Sequence, residues 1–224
     1  MAVILSIETS TSVCSAALHN GGKVMETRET HLPQSAASQL TILIEQLFSS
    51  TQIEKNALDA VAVSGGPGSY TGLRIGISTA KGICFALQRP LLVIDSLHAL
   101  ACSIASPQKE SLLCPMIDAR RMEVYCAILK PSMEVVTASH ARVIDETSFS
   151  ELLVHQNILF FGNGSEKCRS TITHPHAVFI DKIYSTAADM GVLAFQKYRA
   201  GDFADLATFE PNYLKEFDAK TKKV

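Results

Sequence analysis

The chain has 224 residues, of which 47% are hydrophobic, so it can form one large or two small domains with a buried core. Its formal net charge of −2 excludes a general electrostatic attraction to nucleic acid or to an anionic membrane. The six cysteines include no C-x-x-C pair, which is typical of reduced core residues in a cytoplasmic protein.

The first residues are apolar but lack a basic region and reach Glu8 early, so we expect no signal peptide. No apolar run approaches the length of a membrane span. Residues 3–8 alternate in polarity and predict a strand. Two further strands, 13–18 and 23–29, flank a strong hairpin signal at 20–22 (Asn-Gly-Gly). The chain therefore begins as an antiparallel meander.

A helix is predicted over residues 34–50, because apolar residues recur there at helical spacing. Residues 59–63 are short, β-branched and apolar, which is typical of a buried strand. A glycine-rich turn follows and opens into a second predicted helix over 72–87, with Ser69 or Thr71 as its N-cap. Both helices carry few charges, so we expect another helix or another protein to cover them.

The turn before the second helix has two interpretations. Free N–H groups and the positive end of the helix dipole converge there, as in phosphate sites, but a tight turn without a ligand fits equally well. The glycine spacing matches neither the Walker loop nor the Rossmann turn. Close helix packing is a further use of Gly72 and Gly76, because glycine within a helix costs about 1 kcal/mol relative to alanine.

The later part of the chain predicts a second unit. A strand at 91–94 and a helix capped by Ser96 precede a polar break at 106–110, which divides the chain into domains 1–106 and 107–224. Strands are then predicted at 112–117, 123–129, 141–144, 158–161 and 177–180, with helices at 149–153 and 186–198. Both halves open as strand, turn, strand, which suggests a duplicated fold whose last segment packs back on the first domain.

Five motifs together resemble one protein family. They are IETSTSV (7–13), SGGPGSYTGLRIG (64–76), DSLHALA (95–101), DARRMEVY (118–125) and PNYL (211–214). They are similar to the bacterial TsaB (YeaZ) family, which is needed for threonylcarbamoyladenosine modification of tRNA. The resemblance implies the α/β fold of the actin, hexokinase and Hsp70 superfamily, with two mixed-sheet domains, the second one reduced.

The resemblance also implies a role without catalysis. Members of this family are silent paralogues and obligatory partners of TsaD, the transferase, and the ATPase TsaE joins the complex. We expect contact with tRNA only through the complex, no cofactor and no metal. When TsaD is absent, we expect the apolar surface of the charge-poor helices to pair with itself and give a homodimer. The His-x-x-x-His metal pair of the catalytic paralogue is absent, its places being taken by Ser96 and Leu100.

The predicted contact with TsaD uses the two charge-poor helices. The contact residues that we predict are Leu40, Leu43, Leu47, Leu73, Arg74, Gly76, Ile77, Ala80, Lys81 and Cys84.

The main alternative is a nucleotide-binding ATPase or phosphotransferase of the same superfold. Related ATPases place an acid at the end of the first strand, followed by hydroxyl groups that face phosphate. The residues that would form such a site, or a remnant of it, are Glu8, Thr9, Ser10, Thr11, Gly66, Gly68 and Ser69. An acid that only fixes a turn is the other interpretation of Glu8.

Three weaker hypotheses stay open. A peptidase lacks a nucleophile, base and orienting group at telling spacing, and a NAD-binding domain lacks the glycine fingerprint. His98 and Cys102 lie four residues apart and could supply two zinc ligands, but lone His and Cys residues on apolar helices usually belong to the core.

Overall fold

The structure is a computed structural model that describes residues 1–32, 35–104 and 111–214. The first half contains three strands, a helix, and then alternating strands and helices. Its elements are β1 (Val3–Glu8), β2 (Cys14–Asn20), β3 (Lys23–Thr30), α1 (Ala36–Thr51), β4 (Ala60–Ser64), α2 (Tyr70–Leu87), β5 (Leu91–Ile94) and α3 (Ser96–Cys102). A short 3-10 turn, Lys55–Ala57, lies between α1 and β4.

The second half repeats the opening meander with shorter helices. Its elements are β6 (Leu112–Asp118), β7 (Glu123–Leu129), β8 (Val135–Val143), α4 (Ser150–Leu153), β9 (Ile158–Phe161), β10 (Ala177–Ile180) and α5 (Gly191–Ala200). Two further 3-10 turns are formed by Glu166–Cys168 and Ala187–Met190.

The ten strands form two five-stranded sheets with the same topology. The first sheet has the order β3-β2-β1-β4-β5 and the second has the order β10-β9-β6-β7-β8. In each sheet the three meander strands are antiparallel and the two later strands run parallel to the first. Two mixed sheets of equal order confirm the predicted α/β fold of duplicated units, the second of which has the smaller helices.

Helices cover both faces of the first sheet. On one face α1 and α2 bury an apolar cluster that includes Leu18, Val61 and Val63. On the other face α5 and the turn Ala187–Met190 pack against small residues such as Ala17 and Ala62. The C-terminal part of the chain thus returns to the first sheet, where alanines leave room for it.

Helix α3 lies between the two sheets. Its residues Leu97 and Leu100 belong to a buried cluster with Leu113, Ala127 and Phe161 of the second sheet. The Oγ of Ser139, on β8, also donates a 2.8 Å hydrogen bond to Asp95 Oδ2 at the start of α3. The two sheets are therefore joined through one short helix.

Several predicted boundaries change. The first helix begins at Ala36, and residue 34 lies outside the described residues. Helix α2 begins two residues before the prediction, at Tyr70, and Ser69 is confirmed as its N-cap, accepting from Gly72 N. Asp95, rather than the predicted Ser96, caps α3.

In the second half of the chain, the predicted bounds of the strands agree with the structure better than those of the helices do. Three strands, Glu123–Leu129, Ile158–Phe161 and Ala177–Ile180, are confirmed at the predicted bounds. The strand predicted over 141–144 is longer, Val135–Val143. The helix predicted over 186–198 is divided into a 3-10 turn and α5, and the domain boundary predicted at 106–110 lies outside the described residues.

None of the helices that the structure describes is long and apolar enough to cross a membrane.

Candidate functional site

The carboxyl group of Glu8, at the end of β1, is fully buried and joins three parts of the chain. Its Oε1 accepts hydrogen bonds from Ser10 N at 2.5 Å and from Ser64 Oγ at 3.0 Å, while Oε2 accepts from Ser185 Oγ at 2.9 Å. Burial raises the pKa of Glu8, and the hydrogen bonds oppose that rise in part. Both carboxyl oxygens are thus engaged by internal donors.

The turn after Glu8 packs directly on the glycine-rich turn. Thr9 Oγ1 donates to the Gly72 carbonyl at 2.8 Å, and Ser69 N donates to the Ser10 carbonyl at 2.7 Å. A Cβ atom on Gly68 would overlap Ser10, and one on Gly72 would overlap the Thr9 carbonyl oxygen. The glycines therefore allow two stretches of backbone to touch.

The contacts between the two turns use backbone N–H groups that could otherwise bind a nucleotide phosphate. The Gly72 N–H, which would face an anion, is used by Ser69 Oγ at 3.2 Å, and Ser69 N is used by Ser10. The predicted remnant residues Glu8, Thr9, Ser10, Gly66, Gly68 and Ser69 do lie together, with Thr11 following at the edge of the turn. Because their groups bond to one another, the arrangement does not fit a phosphate held between β1 and α2.

Two buried hydroxyl groups lie near the glycine turn. Ser10 Oγ and Ser96 Oγ are both buried and have no hydrogen bond of good geometry among the described residues, although Ser10 Oγ lies close enough to the Glu8 carboxyl group to help lower its pKa. Ser96 N donates to the Gly66 carbonyl at 3.0 Å, so its backbone adjoins the glycine turn. These two hydroxyl groups are the only buried ones in the described glycine-turn region whose hydrogen-bonding capacity is open.

The predicted partner contact residues must be corrected. Eight of the ten lie in the core beneath α1 and α2 and cannot line a surface: Leu40, Leu43, Leu47, Leu73, Gly76, Ile77, Ala80 and Cys84. A low charge density on both helices is explained by their packing on the first sheet and on each other. The large apolar side chains that these helices do expose to solvent are Ile42 and Phe85, which are 48% and 80% exposed.

The two remaining residues of that prediction, Arg74 and Lys81, contact the chain's own C-terminal segment. Arg74 Nε donates to Tyr213 Oη at 3.1 Å, and its guanidinium carbon lies 4.0 Å from the centre of the Tyr70 ring. Lys81 Nζ donates to the Phe209 carbonyl at 2.7 Å. Residues 209–213 thus lie along one side of α2, whereas Ala204 pairs with Leu91 of β5.

The structure also places the proposed zinc ligands. His98 and Cys102 lie on α3, both partly buried. Within residues 1–32, 35–104 and 111–214, no three His, Cys, Asp or Glu side chains are grouped as a metal ion would require. Burial raises the pKa of the Cys102 thiol to about 11, which disfavours a thiolate ligand.

Sequence reasoning missed Ser185 as a partner of Glu8, because 177 residues separate them. It also missed the role of Asp95 as the N-cap of α3. The signal for Asp95 was present, since an Asp directly before an apolar helix is a usual N-cap, whereas nothing in the sequence pointed to Ser185.

Taken together, the two mixed sheets of equal order define an actin-like ATPase fold. A family model described as TsaD, tRNA N6-adenosine threonylcarbamoyltransferase, matches residues 31–223. The TsaB protein of Bacillus subtilis (strain 168) is 25% identical over 98% of this chain and 96% of its own length. The chain belongs to the TsaD family, and within it to the TsaB (YeaZ) group.

Solved structures agree with this assignment. YeaZ from Pseudomonas aeruginosa superposes with a TM-score of 0.82 at 27% identity, over 96% of this chain and 100% of that one. The activator of 2-hydroxyisocaproyl-CoA dehydratase from Clostridium difficile, solved with bound ADPNP, reaches a TM-score of 0.50 at 10% identity, over 90% of this chain and 96% of that one. The second likeness shows the fold alone.

Proposed function

We propose that this chain is a non-catalytic partner subunit that supports TsaD in the transfer of a threonylcarbamoyl group to adenosine of tRNA. The observation that carries the proposal is the closure of the turn after β1 onto the first turn of α2. Two hydroxyl groups that a nucleotide enzyme of this fold would direct at phosphate, those of Thr9 and Ser69, are here hydrogen-bonded to the backbone of Gly72. The TsaB relative named above is described by its role in threonylcarbamoyladenosine biosynthesis, which supports the same function.

The contact with TsaD uses the outer side of α1 and α2. Each helix presents one large apolar side chain to solvent, Ile42 on α1 and Phe85 on α2. Exposed apolar side chains on a helix whose inner side is already packed are typical of protein contact surfaces. The same surface pairs two copies of the chain when TsaD is absent, and TsaE and tRNA join only through the complex with TsaD.

The test compares surface variants that leave the core intact. Phe85→Asp and Ile42→Asp each place a charge on the proposed surface, whereas Val192→Asp places one on α5, on the opposite side of the first sheet. Binding to TsaD is measured by titration calorimetry, and threonylcarbamoyl transfer is measured with TsaD, tRNA and the threonylcarbamoyl donor present. Buried positions such as Leu43 or Ile77 are unsuitable, because a charge there would unfold the chain.

We expect Phe85→Asp to weaken binding to TsaD by about 30-fold, the effect of losing one central apolar contact. Val192→Asp should bind like the unaltered chain. If all three variants bind and support transfer equally, the contact lies on another surface. If the purified chain alone hydrolyses ATP and Glu8→Ala abolishes that activity, the chain is an enzyme and the proposal is wrong.

A further inference from the structure

Two cysteines meet in the core of the second sheet, far from the glycine turn. Met116 on β6 lies opposite Cys126 on β7, so Cys114 is the diagonal neighbour of Cys126 on the same side of the sheet. Both side chains are fully buried, in a cluster that also contains Cys168. Diagonal neighbours on one face of an antiparallel pair are close enough for their side chains to interact.

A histidine on the next strand contacts one of these thiols. His140, on β8, lies opposite Cys126, and its Nε2 is 3.7 Å from Cys126 Sγ. The other ring nitrogen, Nδ1, is 2.9 Å from the Ala138 carbonyl oxygen. Because a carbonyl oxygen only accepts hydrogen bonds, Nδ1 carries the proton of the neutral ring, and Nε2 is left as an acceptor facing the thiol.

The two thiols have opposite electrostatic surroundings. The pKa of Cys126 is lowered, mainly because the Cys114 thiol donates a hydrogen bond to it, and the nearby charge of Arg142 adds to this effect. Burial is the main reason that the pKa of Cys114 is raised well above its usual range. By contrast, burial raises the pKa of Cys84, in the first sheet, to about 11. Cys126 is therefore the thiol whose surroundings favour the nucleophilic thiolate.

The position of β8 gives a small reagent a route to Cys126. This strand is the outermost in its sheet and pairs only with β7, and its register is irregular between Cys126 and Ile128. Four consecutive residues on it, 135–138, are exposed, and His140 is partly exposed between the thiol and the surface. Edge strands with interrupted pairing open at low free-energy cost.

We propose that Cys126 and Cys114 form a peroxide-sensitive thiol pair, with His140 as the base and a disulfide between β6 and β7 as the product. His140 Nε2 accepts the Cys126 proton, and the thiolate attacks one oxygen of hydrogen peroxide. The O–O bond breaks, Cys126 becomes a sulfenic acid, and the departing hydroxide takes the proton to form water. The Cys114 sulfur then attacks the sulfenic sulfur, and its proton leaves with the hydroxyl group as a second water.

The reaction oxidises two thiols by two electrons and reduces one peroxide to two waters, so it needs no further reactant. Arg142, whose guanidinium carbon lies 4.3 Å from the centre of the Phe149 ring, is held on the same side of the sheet, where its charge stabilises the thiolate. The cysteines of the first sheet, Cys14 and Cys84, have no such histidine among their hydrogen-bond partners in the described structure.

The test treats the whole chain with hydrogen peroxide, blocks the remaining thiols by alkylation under denaturing conditions, and maps the peptides by mass spectrometry. We expect one cross-linked peptide pair joining Cys114 to Cys126. Cys14 and Cys84 should stay reduced and therefore be recovered in the alkylated form. With Cys114→Ser the second step is blocked, so dimedone should trap a sulfenic acid on Cys126. Circular dichroism checks that this variant is folded.

A second variant does not alter the core. His140→Gln removes the base at a partly exposed position, and His155→Gln is its matched control at an exposed site after α4. We expect His140→Gln to lower the rate constant of disulfide formation at least about tenfold and His155→Gln to leave it unchanged. The proposal is overturned if Cys84 is oxidised as fast as Cys126, if Cys126 links to another cysteine, or if His140→Gln reacts at the original rate.

Discussion

The α-carbon of Gly72 lies so close to the carbonyl oxygen of Thr9 that any side chain at residue 72 would overlap it. Gly72 is in the first turn of α2, and Thr9 follows β1. This contact is reinforced by the hydrogen bond from Thr9 Oγ1 to the Gly72 carbonyl. The glycine turn thus serves to bring a helix against a neighbouring loop.

This contact predicts that Gly72→Ala destabilises the chain. Alanine would normally favour a helix by about 1 kcal/mol, but the overlap with backbone should outweigh this and lower the free energy of unfolding by about 2–3 kcal/mol. Gly82→Ala is the control, because it lies in the same helix with no other atom within 4 Å of the added Cβ. It should raise the free energy of unfolding by about 0.5–1 kcal/mol. Urea unfolding of both variants measures the difference, and equal stabilities would contradict the assigned role of Gly72.

The strands were predictable because their information is local. Apolar alternation and the Asn20-Gly21-Gly22 turn, whose two glycines adopt φ of 59° and 86°, are sufficient to place the opening hairpin. Helix α2 was also predictable, but the sequence leaves two N-cap candidates, Ser69 and Thr71, and the structure selects Ser69, which accepts from Gly72 N. The polarity pattern of the sequence was sufficient to distinguish strands from helices. The first and last residues of each strand or helix depended also on tertiary contacts.

The site was less predictable than the fold. A helix has few charges when its own sheet covers it and also when a partner protein covers it, so the sequence does not distinguish the two cases. The prediction therefore places Leu43 and Ile77 on a contact surface, although both side chains are buried. The sequence singles out Glu8 at the end of β1, but the environment of its carboxyl group depends on Ser64 and Ser185, which are brought together only by the fold. Periodic patterns in a sequence indicate helices and strands, but they do not indicate hydrogen bonds between residues that are distant in the sequence.

The raised pKa of Glu8 predicts a pH dependence of stability. A carboxyl whose pKa is higher in the folded chain than in the unfolded chain binds its proton more tightly when folded. Its contribution is therefore fully present below about pH 4.5, the ordinary value, and is lost as pH rises through the folded pKa. The loss amounts to about 1.4 kcal/mol for each pH unit between the two pKa values.

Glu8→Gln should remove this dependence, because an amide does not titrate and can still accept from Ser10 N. The difference in free energy of unfolding between the variant and the unaltered chain should shift in favour of the variant as the pH rises above about 4.5. Asp205→Asn is a suitable control, because Asp205 is solvent-exposed and backbone hydrogen bonds lower its pKa, giving no such loss above pH 5. A difference that stays constant with pH would show that Glu8 is not perturbed by burial.

The hydrogen bond between Asp95 and Ser139 predicts energetic coupling between the two sheets. Asp95 Oδ1 caps α3 by accepting from Leu97 N and His98 N, while Oδ2 accepts from Ser139. Asp95→Ala should lower the free energy of unfolding by about 1–2 kcal/mol through loss of the cap. In a double-mutant cycle with Ser139→Ala, we expect a coupling energy of about 0.5–1.5 kcal/mol. Additive effects would mean that the bond between the sheets contributes nothing.

The stacking of Tyr213 on Tyr70 predicts how the C-terminal segment is held against α2. Their ring centres are 4.8 Å apart, and two residues of the same segment are bonded to the glycine turn and to α2: Asn212 N donates to the Gly65 carbonyl at 2.7 Å, and the Phe209 carbonyl accepts from Lys81. Tyr213→Ala removes the ring and should lower the free energy of local opening by about 1.4 kcal/mol. The measurement is hydrogen exchange at the Asn212 amide, which should become about tenfold faster while the amides of β1 stay protected.

Tyr213→Phe separates the ring from its hydroxyl group. It keeps the stacking but loses the bond from Arg74 Nε, which is exposed and contributes little, so exchange at Asn212 should change by less than about threefold. If both variants exchange like the unaltered chain, the bond to Gly65 alone holds the segment. If Tyr213→Ala also exposes the amides of α2, the segment is part of the core of the first sheet, and its opening would uncover the side of the helix where Arg74 and Lys81 lie.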